Sequence, residues 1–542
     1  MSAKSQGGEP GAWWGWGRGE HVKPLSKGME ELLAERFGSN LSAPPAAVKA
    51  ADIVLPDPRP AAGKLESNFR GSLETAQPER LSHSVGMSYP DLIRLRSGEV
   101  TSAPDAVAYP RSAAEIRALL EQASHRNIAI VPFGGGTSVV GGVTATRADH
   151  DALVSLDLSG IDRVEVDLES GTARFGPGVK GPEAERLLND RGFTLGHFPQ
   201  SFERASIGGF AATRSAGQAS SGYGRFDDLL TGIEMVTPVG TLRSIETPHT
   251  AAGPDLRELV VGSEGALGVI TEVSCRVSPA AEVSDYRGWM CEGFEAGFEV
   301  IRDLAQQRAL PDVVRLSDES ETSIGLATTS APEPAKRALE AWLTMRNRRA
   351  GALLICGWDG TRERVRTRRK LSGGVIRRGG GVPLGSAPGN AWQRTRFEGP
   401  YLRDHLIDLG VLVETLETAH SWSSLGDLYR ATRDSIQANL GSGGLVMCHL
   451  SHAYPDGASL YFTFVAPVRP GDEIATWRRI KEAACDAIVG QGGTITHHHA
   501  VGRDHTRWME REVGIAGLDV LRSVKEELDP RGIMNPGVLL PG

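Results

Sequence analysis

Residues 128–143 read I-A-I-V-P-F-G-G-G-T-S-V-V-G-G-V, a short apolar run that stops at three glycines. The apolar run predicts a buried strand, and the glycines predict a tight loop at its end. Glycines lack a Cβ atom, so several backbone N–H groups can face one anion, and the hydroxyls of Thr137 and Ser138 add donors. The stretch therefore indicates either a pyrophosphate-binding loop or a glycine-rich turn without a ligand.

The same loop does not favour a nicotinamide-binding enzyme. Val139 stands where the third glycine of the G-x-G-x-x-G fingerprint falls, and that glycine allows a helix to pack closely on its strand.

The composition is that of a soluble protein with several domains. The chain has 542 residues, 40% of them hydrophobic, and a net charge of −8 that gives no indication of a nucleic-acid partner. The five cysteines show no C-x-x-C spacing, which argues against a structural zinc site and favours a reducing cytoplasm. No apolar run approaches the roughly 18 residues that span a bilayer, so any membrane contact would be peripheral.

Two further glycine-rich stretches follow the first. Residues 196–217 contain G-H-F-P-Q-S and S-I-G-G-F-A-A-T-R-S-A-G, and residues 262–271 read G-S-E-G-A-L-G-V-I-T. Small residues are more frequent here than turns require, which predicts that main chain approaches a flat or extended ligand closely.

The first 60 residues are rich in Gly, Pro and Ala and contain Trp13, Trp14 and Trp16. These tryptophans either bind a ligand or pin a flexible arm onto the protein, and we favour pinning.

From about residue 281 the pattern changes to mixed helices and strands, which predicts a second, α+β domain. Within it, residues 373–399 are glycine- and proline-rich, so this segment is either disordered or an active-site lid. Residues 406–416 are expected to form a strand and residues 422–440 a helix.

Residues 497–499 are three consecutive histidines. Neighbouring residues of a strand point to opposite faces, so all three cannot bind one metal unless the backbone is irregular. Acid–base or oxyanion roles for one or two of them are the easier geometry, and a surface turn is the alternative.

Five motifs together resemble the FAD-binding half of the vanillyl-alcohol oxidase flavoprotein superfamily: G-G-G-T-S, G-H-x-P-x-S, S-I-G-G-x-x-A-T-R-S-A-G, Y-G-x-x-x-D and G-S-E-G-x-L-G-V-I-T. The resemblance implies an α+β fold with a two-subdomain FAD-binding domain and an α+β cap domain. It also implies that FAD is bound, and non-covalently, since the first loop has no histidine. The implied cofactor-binding residues are Pro132, Gly134, Gly135, Gly136, Thr137, Ser138, Asp157, Pro199, Ser201, Ser206, Gly208, Gly209, Thr213, Ser215, Gly217, Glu264 and Ile270.

On this basis we divide the chain into four parts. They are an N-terminal arm and helical segment (1–100), an FAD-binding domain (101–280), a cap domain (281–490) and a C-terminal segment that completes the active site (491–542).

A metal-dependent branch of the superfamily carries H-x-G-D-x-N-x-H and E-H-G-x-G. Here Tyr461 takes the place of one histidine and His498 that of the glutamate. Losing an anionic ligand and an imidazole should abolish the metal site, so we expect no metal.

The histidine triplet before A-V-G, the strand S-L-Y-F-T-F and the motifs R-L-S-D and Y-L-R-D resemble instead the alkyldihydroxyacetonephosphate synthase branch. That branch exchanges the acyl group of acyl-dihydroxyacetone phosphate for a long-chain alcohol through a flavin N5 adduct, without net redox change. The resemblance implies that Tyr461 assists proton removal, that His497, His498 and His499 supply acid–base help, and that Arg403 and Arg315 bind phosphate or hold the site. For Arg315, a structural salt bridge is an equal alternative.

Two other functions stay open at this point: a metal-free flavin oxidase or dehydrogenase of an alcohol or 2-hydroxyacid, and a flavin-holding scaffold with an idle pocket. The expected partners are a phosphorylated ketone ester and a fatty alcohol, and not nucleic acid. A homodimer and a cytoplasmic location are also expected.

Overall fold

The computed structural model describes residues 13–17, 25–38, 41–65, 71–329, 331–441 and 443–541. The first elements, in chain order, are α1 (Lys27–Arg36), α2 (Pro60–Gly63), β1 (Ser72–Glu74), α3 (Gln77–Ser82), α4 (Tyr89–Ser97), β2 (Ala106–Tyr109), α5 (Ala113–His125), β3 (Ile128–Phe133) and β4 (Ala152–Asp157). Four of them form a sheet in the order β1-β2-β4-β3, in which β2, β4 and β3 run parallel. The predicted strand before the first glycine loop is therefore confirmed, and the loop leaves the carboxyl end of β3.

A second, antiparallel sheet follows in the chain. Its region contains β5 (Val164–Asp167), β6 (Thr172–Phe175), α6 (Gly181–Asn189), β7 (Phe193–Thr194), α7 (Ile207–Ala212), α8 (Ser220–Tyr223), α9 (Phe226–Leu229), β8 (Leu230–Thr237), β9 (Gly240–Arg243), α10 (Arg257–Val260), β10 (Val269–Arg276) and β11 (Ser278–Pro279). The strand order is β5-β6-β10-β8-β9, and β11 pairs separately with β7. The buried side chains of α7 pack under β10 in one apolar core, so the second glycine stretch is held against this sheet.

The largest sheet lies in the second half of the chain and has the order β15-β12-β14-β13-β17-β18-β16. Its region contains β12 (Val283–Cys291), α11 (Phe294–Gln306), β13 (Val313–Ser317), α12 (Glu319–Thr328), α13 (Glu333–Met345), β14 (Ala352–Gly360), α14 (Arg362–Arg378), β15 (Val382–Gly385), α15 (Ala387–Thr395), α16 (Gly399–Asp408), β16 (Val411–Ser421), α17 (Leu425–Leu440), β17 (Leu445–Ala453), β18 (Gly457–Pro467) and α18 (Glu473–Gly490). All its pairings are antiparallel. The predicted α+β class agrees with this architecture.

The last part of the chain returns to the first sheet. Helix α19 (Met509–Leu528) is interrupted at Gly514, whose φ of 72° is not helical. Beyond it, Met534 bridges Ile130 of β3, and the backbone N–H of Asn535 donates to the carbonyl of Ile130. The C-terminal residues thus lie against the strand that carries the first glycine loop.

Two sequence predictions for the second domain were wrong. Residues 373–399 were expected to be a long loop, either disordered or an active-site lid, but they form the end of α14, the edge strand β15, and α15. Val375 and Ile376 are buried between the glycines, and Gly389 packs directly on the backbone of Tyr286, so small residues serve close packing here. Residues 406–416 begin as helix α16 and become strand only at Val411.

The N-terminal tryptophans are pinned to the protein, as predicted. Trp14 and Trp16 are only 2% and 3% exposed, and the indole N–H of Trp13 donates to the carbonyl of Val48 at 2.9 Å. The Asp404 carboxylate on α16 accepts from the backbone N–H groups of Trp16 and Gly17. In the described part of the chain, no helix combines the length and apolarity needed to cross a bilayer.

Candidate active site

The loop after β3 offers a row of unused hydrogen-bond donors. Within the described structure, the backbone N–H groups of residues 135–138 have no intramolecular acceptor, while the Ser138 hydroxyl accepts from the N–H groups of Val140 and Gly142. Gly136 has a φ of +65°, which turns consecutive N–H groups toward a common point. The loop therefore has the form of an anion-binding nest.

Glycines of the first loop and of the second glycine-rich stretch are required by contacts within the protein. A Cβ on Gly135 would lie 2.4 Å from the carbonyl oxygen of Arg204, and one on Gly208 would lie 2.5 Å from Cβ of Pro177. The two predicted glycine stretches therefore pack on each other. This differs from the sequence interpretation, which explained the small residues by the approach of a ligand.

A buried carboxylate links the first loop to the C-terminal segment. Glu264 is 7% exposed and accepts from the N–H groups of Val501 and Gly502 at 2.8–3.1 Å. The Asn535 side-chain amide donates to the carbonyls of Gly142 and Glu264 at 2.9 and 2.7 Å. Burial raises the pKa of Glu264 to about 7. Its role as a supporting contact to the cofactor stays a prediction.

Asp157 also has a supporting position at the end of β4. Its carboxylate lies 2.9 Å from Nε2 of His83 and accepts from the N–H of Ser159. These contacts hold the pKa of Asp157 below its usual value despite its burial. Lys180 donates to the carbonyl of Gly134 at 3.0 Å and so braces the loop from the other side.

The large sheet aligns polar side chains from three adjacent strands in one row. Tyr461 on β18 pairs in register with Glu417 on β16 and with His449 on β17. Directly paired residues point to the same face of a sheet. The His449 ring accordingly stacks on that of Tyr461, with centroids 4.8 Å apart and an interplanar angle of 19°.

The histidine triplet lies over this row on an irregular turn. The rings of His498 and His499 approach Tyr461, with centroid distances of 6.0 and 5.4 Å. His497 points elsewhere: its Nε2 is 2.8 Å from the Tyr454 hydroxyl. The irregular backbone does bring ring nitrogens of His452, His497 and His498 within 4.8 Å of one another. This group holds two of the three consecutive histidines together with His452, whereas the sequence argument concerned a site made from all three.

Arg315 supports the site through another side chain. Its guanidinium donates to Nε2 of His449 at 2.9 Å and pairs with Glu321. Arg315 therefore forms the structural salt bridge that was one of its two predicted roles. Its hydrogen bond to His449 also fixes the imidazole ring beside Tyr461.

Arg403 on α16 lies near the first loop. It donates to the carbonyl of Met87 at 2.8 Å, and the N–H of Met87 donates to the carbonyl of Ser138. The Nε of Arg403 is buried without an acceptor. A second cation, Arg225, joins the two halves of the site by donating to the carbonyls of His497 and Arg214 at 3.1 Å.

Comparison with known proteins identifies the family. Residues 104–246 match the family model "FAD binding domain", and residues 280–539 match "FAD linked oxidases, C-terminal domain". The chain is 34% identical to an alkyldihydroxyacetonephosphate synthase of Trypanosoma brucei brucei, with 85% of this chain and 77% of that protein aligned. The chain belongs to the alkyldihydroxyacetonephosphate synthase family.

Two further comparisons agree. An alkyldihydroxyacetonephosphate synthase of Dictyostelium discoideum is 32% identical, with 85% of this chain and 77% of that protein aligned. A solved structure of an alkyldihydroxyacetonephosphate synthase superposes with a TM-score of 0.81 at 27% identity, covering 97% of this chain and 98% of the other. The predicted flavoprotein fold is thereby confirmed, and the chain is an FAD-dependent enzyme.

The residues present in this family member fit FAD. The unused N–H groups of residues 135–138 suit the pyrophosphate, since consecutive backbone donors bind anions without added charge. The remaining predicted cofactor residues lie at the end of β4, which holds Asp157, and on the three connected stretches, which hold Pro132, Gly134, Pro199, Ser201, Ser206, Gly209, Thr213, Ser215, Gly217, Glu264 and Ile270. Their individual roles stay predictions.

The imidazoles beside Tyr461 are uncharged at neutral pH, although charged side chains, Glu417, Arg315 and Arg225 among them, lie close by. Burial lowers the pKa of His449 and of His498 to about 4, and it also lowers the pKa of His499. Burial raises the pKa of Tyr461 to about 12. At neutral pH, uncharged imidazoles that can accept a proton therefore surround a protonated phenol.

Five residues of the site were not predicted from the sequence: Glu417, Glu321, His449, Tyr454 and Arg225. The only local signal was the pair of acidic residues, Glu414 and Glu417, within the strand V-L-V-E-T-L-E-T. Each of the five reaches the site through strand register or through contacts between distant segments, which no motif records.

These buried histidines predict acid sensitivity. Their folded-state pKa values lie below 6.5, so between pH 6.5 and 4 the unfolded chain binds more protons than the folded one, and stability is lost as the pH falls. One unit of pKa difference corresponds to about 1.4 kcal/mol per histidine. Urea unfolding at constant ionic strength should show a lower free energy of unfolding at pH 5 than at pH 7.5. Equal values at the two pH values would contradict the neutral cluster.

Proposed function

We propose that the enzyme exchanges the acyl group of acyl-dihydroxyacetone phosphate for a long-chain alcohol, with FAD as cofactor and no net redox change. One observation carries the proposal: Tyr461 lies between His449 and the rings of His498 and His499, on the sheet face that the C-terminal segment covers. Membership of the alkyldihydroxyacetonephosphate synthase family supports this assignment over an oxidase.

The protein's own residues have separable tasks. When bound, FAD supplies covalent catalysis at its isoalloxazine ring. A neutral imidazole of His498 or His499 accepts the proton that leaves C1 of the substrate. Because its pKa is raised, Tyr461 stays protonated and donates a hydrogen bond rather than acting as a phenolate base. This refines the role in proton removal predicted for it.

The substrate phosphate requires a cation near the same cleft. Arg403 suits this task because its Nε is buried without an acceptor. Its guanidinium also lies beside the first loop, since it donates to the carbonyl of Met87 and the N–H of Met87 donates to the carbonyl of Ser138. Guanidinium groups bind phosphate through paired N–H donors.

A direct experiment tests the proposed reaction. Purified enzyme is mixed anaerobically with acyl-dihydroxyacetone phosphate and a long-chain alcohol while flavin absorbance and products are followed. We expect an ether product, a released fatty acid, and flavin that is fully oxidised at the end. Oxidised alcohol accompanied by two-electron bleaching of the flavin would contradict the proposal and favour the dehydrogenase alternative.

Peripheral membrane contact is the second part of the proposal, since both lipid substrates reside in bilayers. Helix α14 carries eight basic side chains and one acidic one within Arg362–Arg378, although the whole chain has a net charge of −8. Six of these basic residues have no carboxylate within ion-pair distance among the described residues. Arg377 and Arg378 donate to Gly373 and Gln307, which leaves four exposed basic side chains: Arg362, Arg364, Arg366 and Lys370. Exposed basic side chains concentrated on one helix attract anionic headgroups.

Replacing those four residues with Glu should weaken binding to vesicles containing phosphatidylserine by more than about tenfold, because each basic side chain near such a surface contributes about 1 kcal/mol. Cosedimentation at low and high salt measures the effect. A control that replaces four exposed basic residues on other elements, Arg117, Arg186, Arg507 and Arg522, corrects for net charge. Equal loss in both variants would refute a site on α14. The homodimeric state and the cytoplasmic location stay predictions from the sequence.

A further inference from the structure

A single carboxylate lies beneath the histidine turn. Glu417 is 2% exposed and accepts hydrogen bonds from the Thr496 hydroxyl and from the backbone N–H groups of His497, His498 and His499. Three consecutive N–H groups on one carboxylate fix the path of the backbone through the turn. The positions of all three rings therefore depend on this one side chain.

The same carboxylate faces two of the rings. Its oxygens lie 3.6 Å from Nδ1 of His498 and 3.8 Å from Nδ1 of His499. In the described part of the chain, Glu417 has no lysine or arginine within ion-pair distance, so hydrogen bonds and the nearby histidines stabilise its charge. The His498 and His499 side chains are 13% and 14% exposed and so reach accessible space, whereas Glu417 does not.

The negative charge of Glu417 affects how readily a nearby imidazole accepts the proton that the reaction moves. An imidazole that accepts a proton in a buried site becomes a cation, and a carboxylate nearby favours the charged form. Glu417 favours a higher pKa for His498 and for His499, against the effect of burial. Without Glu417, burial and the nearby positive charges, Arg225 for His498 and Lys481 for His499, would make either ring a weaker proton acceptor.

We propose that Glu417 is a positioning residue, which holds the 497–499 turn and stabilises positive charge on His498 or His499 after proton uptake. This inference rests on the proposed function, because it concerns the same proton transfer. It assigns no contact between Glu417 and the substrate, since the carboxylate is covered by the turn that it binds.

The test compares Glu417→Gln with Glu414→Gln. Glu414 lies on the same strand and is 6% exposed, but its carboxylate accepts from Trp477 and from the N–H of Thr415. We expect Glu417→Gln to lower kcat by about 10- to 100-fold and to move the acidic limb of the kcat profile to lower pH, with flavin content unchanged. Glu414→Gln should leave the pH profile in place, and Glu417→Asp, which retains the charge, should partly restore the wild-type profile.

A readout independent of activity separates this inference from the proposed function. Histidine ring titrations followed by NMR in isotope-labelled protein should show lower pKa values for His498 and His499 in Glu417→Gln than in wild type. If exchange activity is absent but this shift occurs, the proposed function fails while the electrostatic role stands. Unchanged ring titrations and an unchanged pH profile in Glu417→Gln, or equal losses in both glutamine variants, would overturn the inference. If Glu417→Gln does not fold, the test uses Glu417→Asp. The Asp side chain is shorter, so its carboxylate lies farther from the rings, and unchanged histidine titrations in this variant would also overturn the inference.

Discussion

Replacing Tyr461 with Phe is expected to lower kcat by about 10²- to 10³-fold, the range typical of losing one positioned hydrogen-bond donor, while bound flavin stays at the wild-type level. The phenol lies in contact with His449, His498 and His499, and Phe retains the ring stacking but removes the hydroxyl. The loss should therefore fall on the chemical step and not on assembly of the site.

Tyr429→Phe is the matched control for this substitution. Tyr429 is a buried tyrosine whose hydroxyl donates to Asp318 at 3.2 Å, and its ring stacks on Phe462. It has no ring contact with the histidine triplet among the described residues. Removing its hydroxyl should lower stability by about 1 kcal/mol without changing kcat. Near-normal turnover in Tyr461→Phe would refute the role assigned to that residue.

The second large effect is expected for Gly135→Ala, which should lower FAD affinity by more than about tenfold, or about 1.4 kcal/mol. The new Cβ would lie 2.4 Å from the carbonyl oxygen of Arg204 and 2.8 Å from Cα of Ala205. Both contacts are backbone atoms, so the loop itself must move. The free N–H groups of residues 135–138 then no longer converge.

Gly240→Ala provides the control, because a Cβ at Gly240 would meet nothing within 4 Å. The visible absorbance of bound flavin after purification, and titration of the apoprotein with FAD, measure the difference between the two variants. Stoichiometric flavin in Gly135→Ala would show that the first loop does not form the cofactor cradle.

Local chemistry explains why so much of the cofactor half was predictable. The strand β3 and the turn at Gly136, whose φ is +65°, each depend on a few neighbouring residues. The motifs therefore report the local fold directly. Glycine was misleading in residues 373–399. There, Gly389 allows close packing on the backbone of Tyr286, whereas the sequence predicted a long loop.

The sequence by itself determined the family, the cofactor and the identity of Tyr461 and the three histidines as candidates. Only the tertiary structure decided how these side chains meet. Pairing of β18 with β16 and β17 places Glu417 and His449 beside Tyr461, and Glu264 and Asn535 attach the C-terminal segment to the first loop. Motifs record short-range constraints along the chain, whereas register and docking depend on residues that are far apart in sequence and meet only in the folded protein.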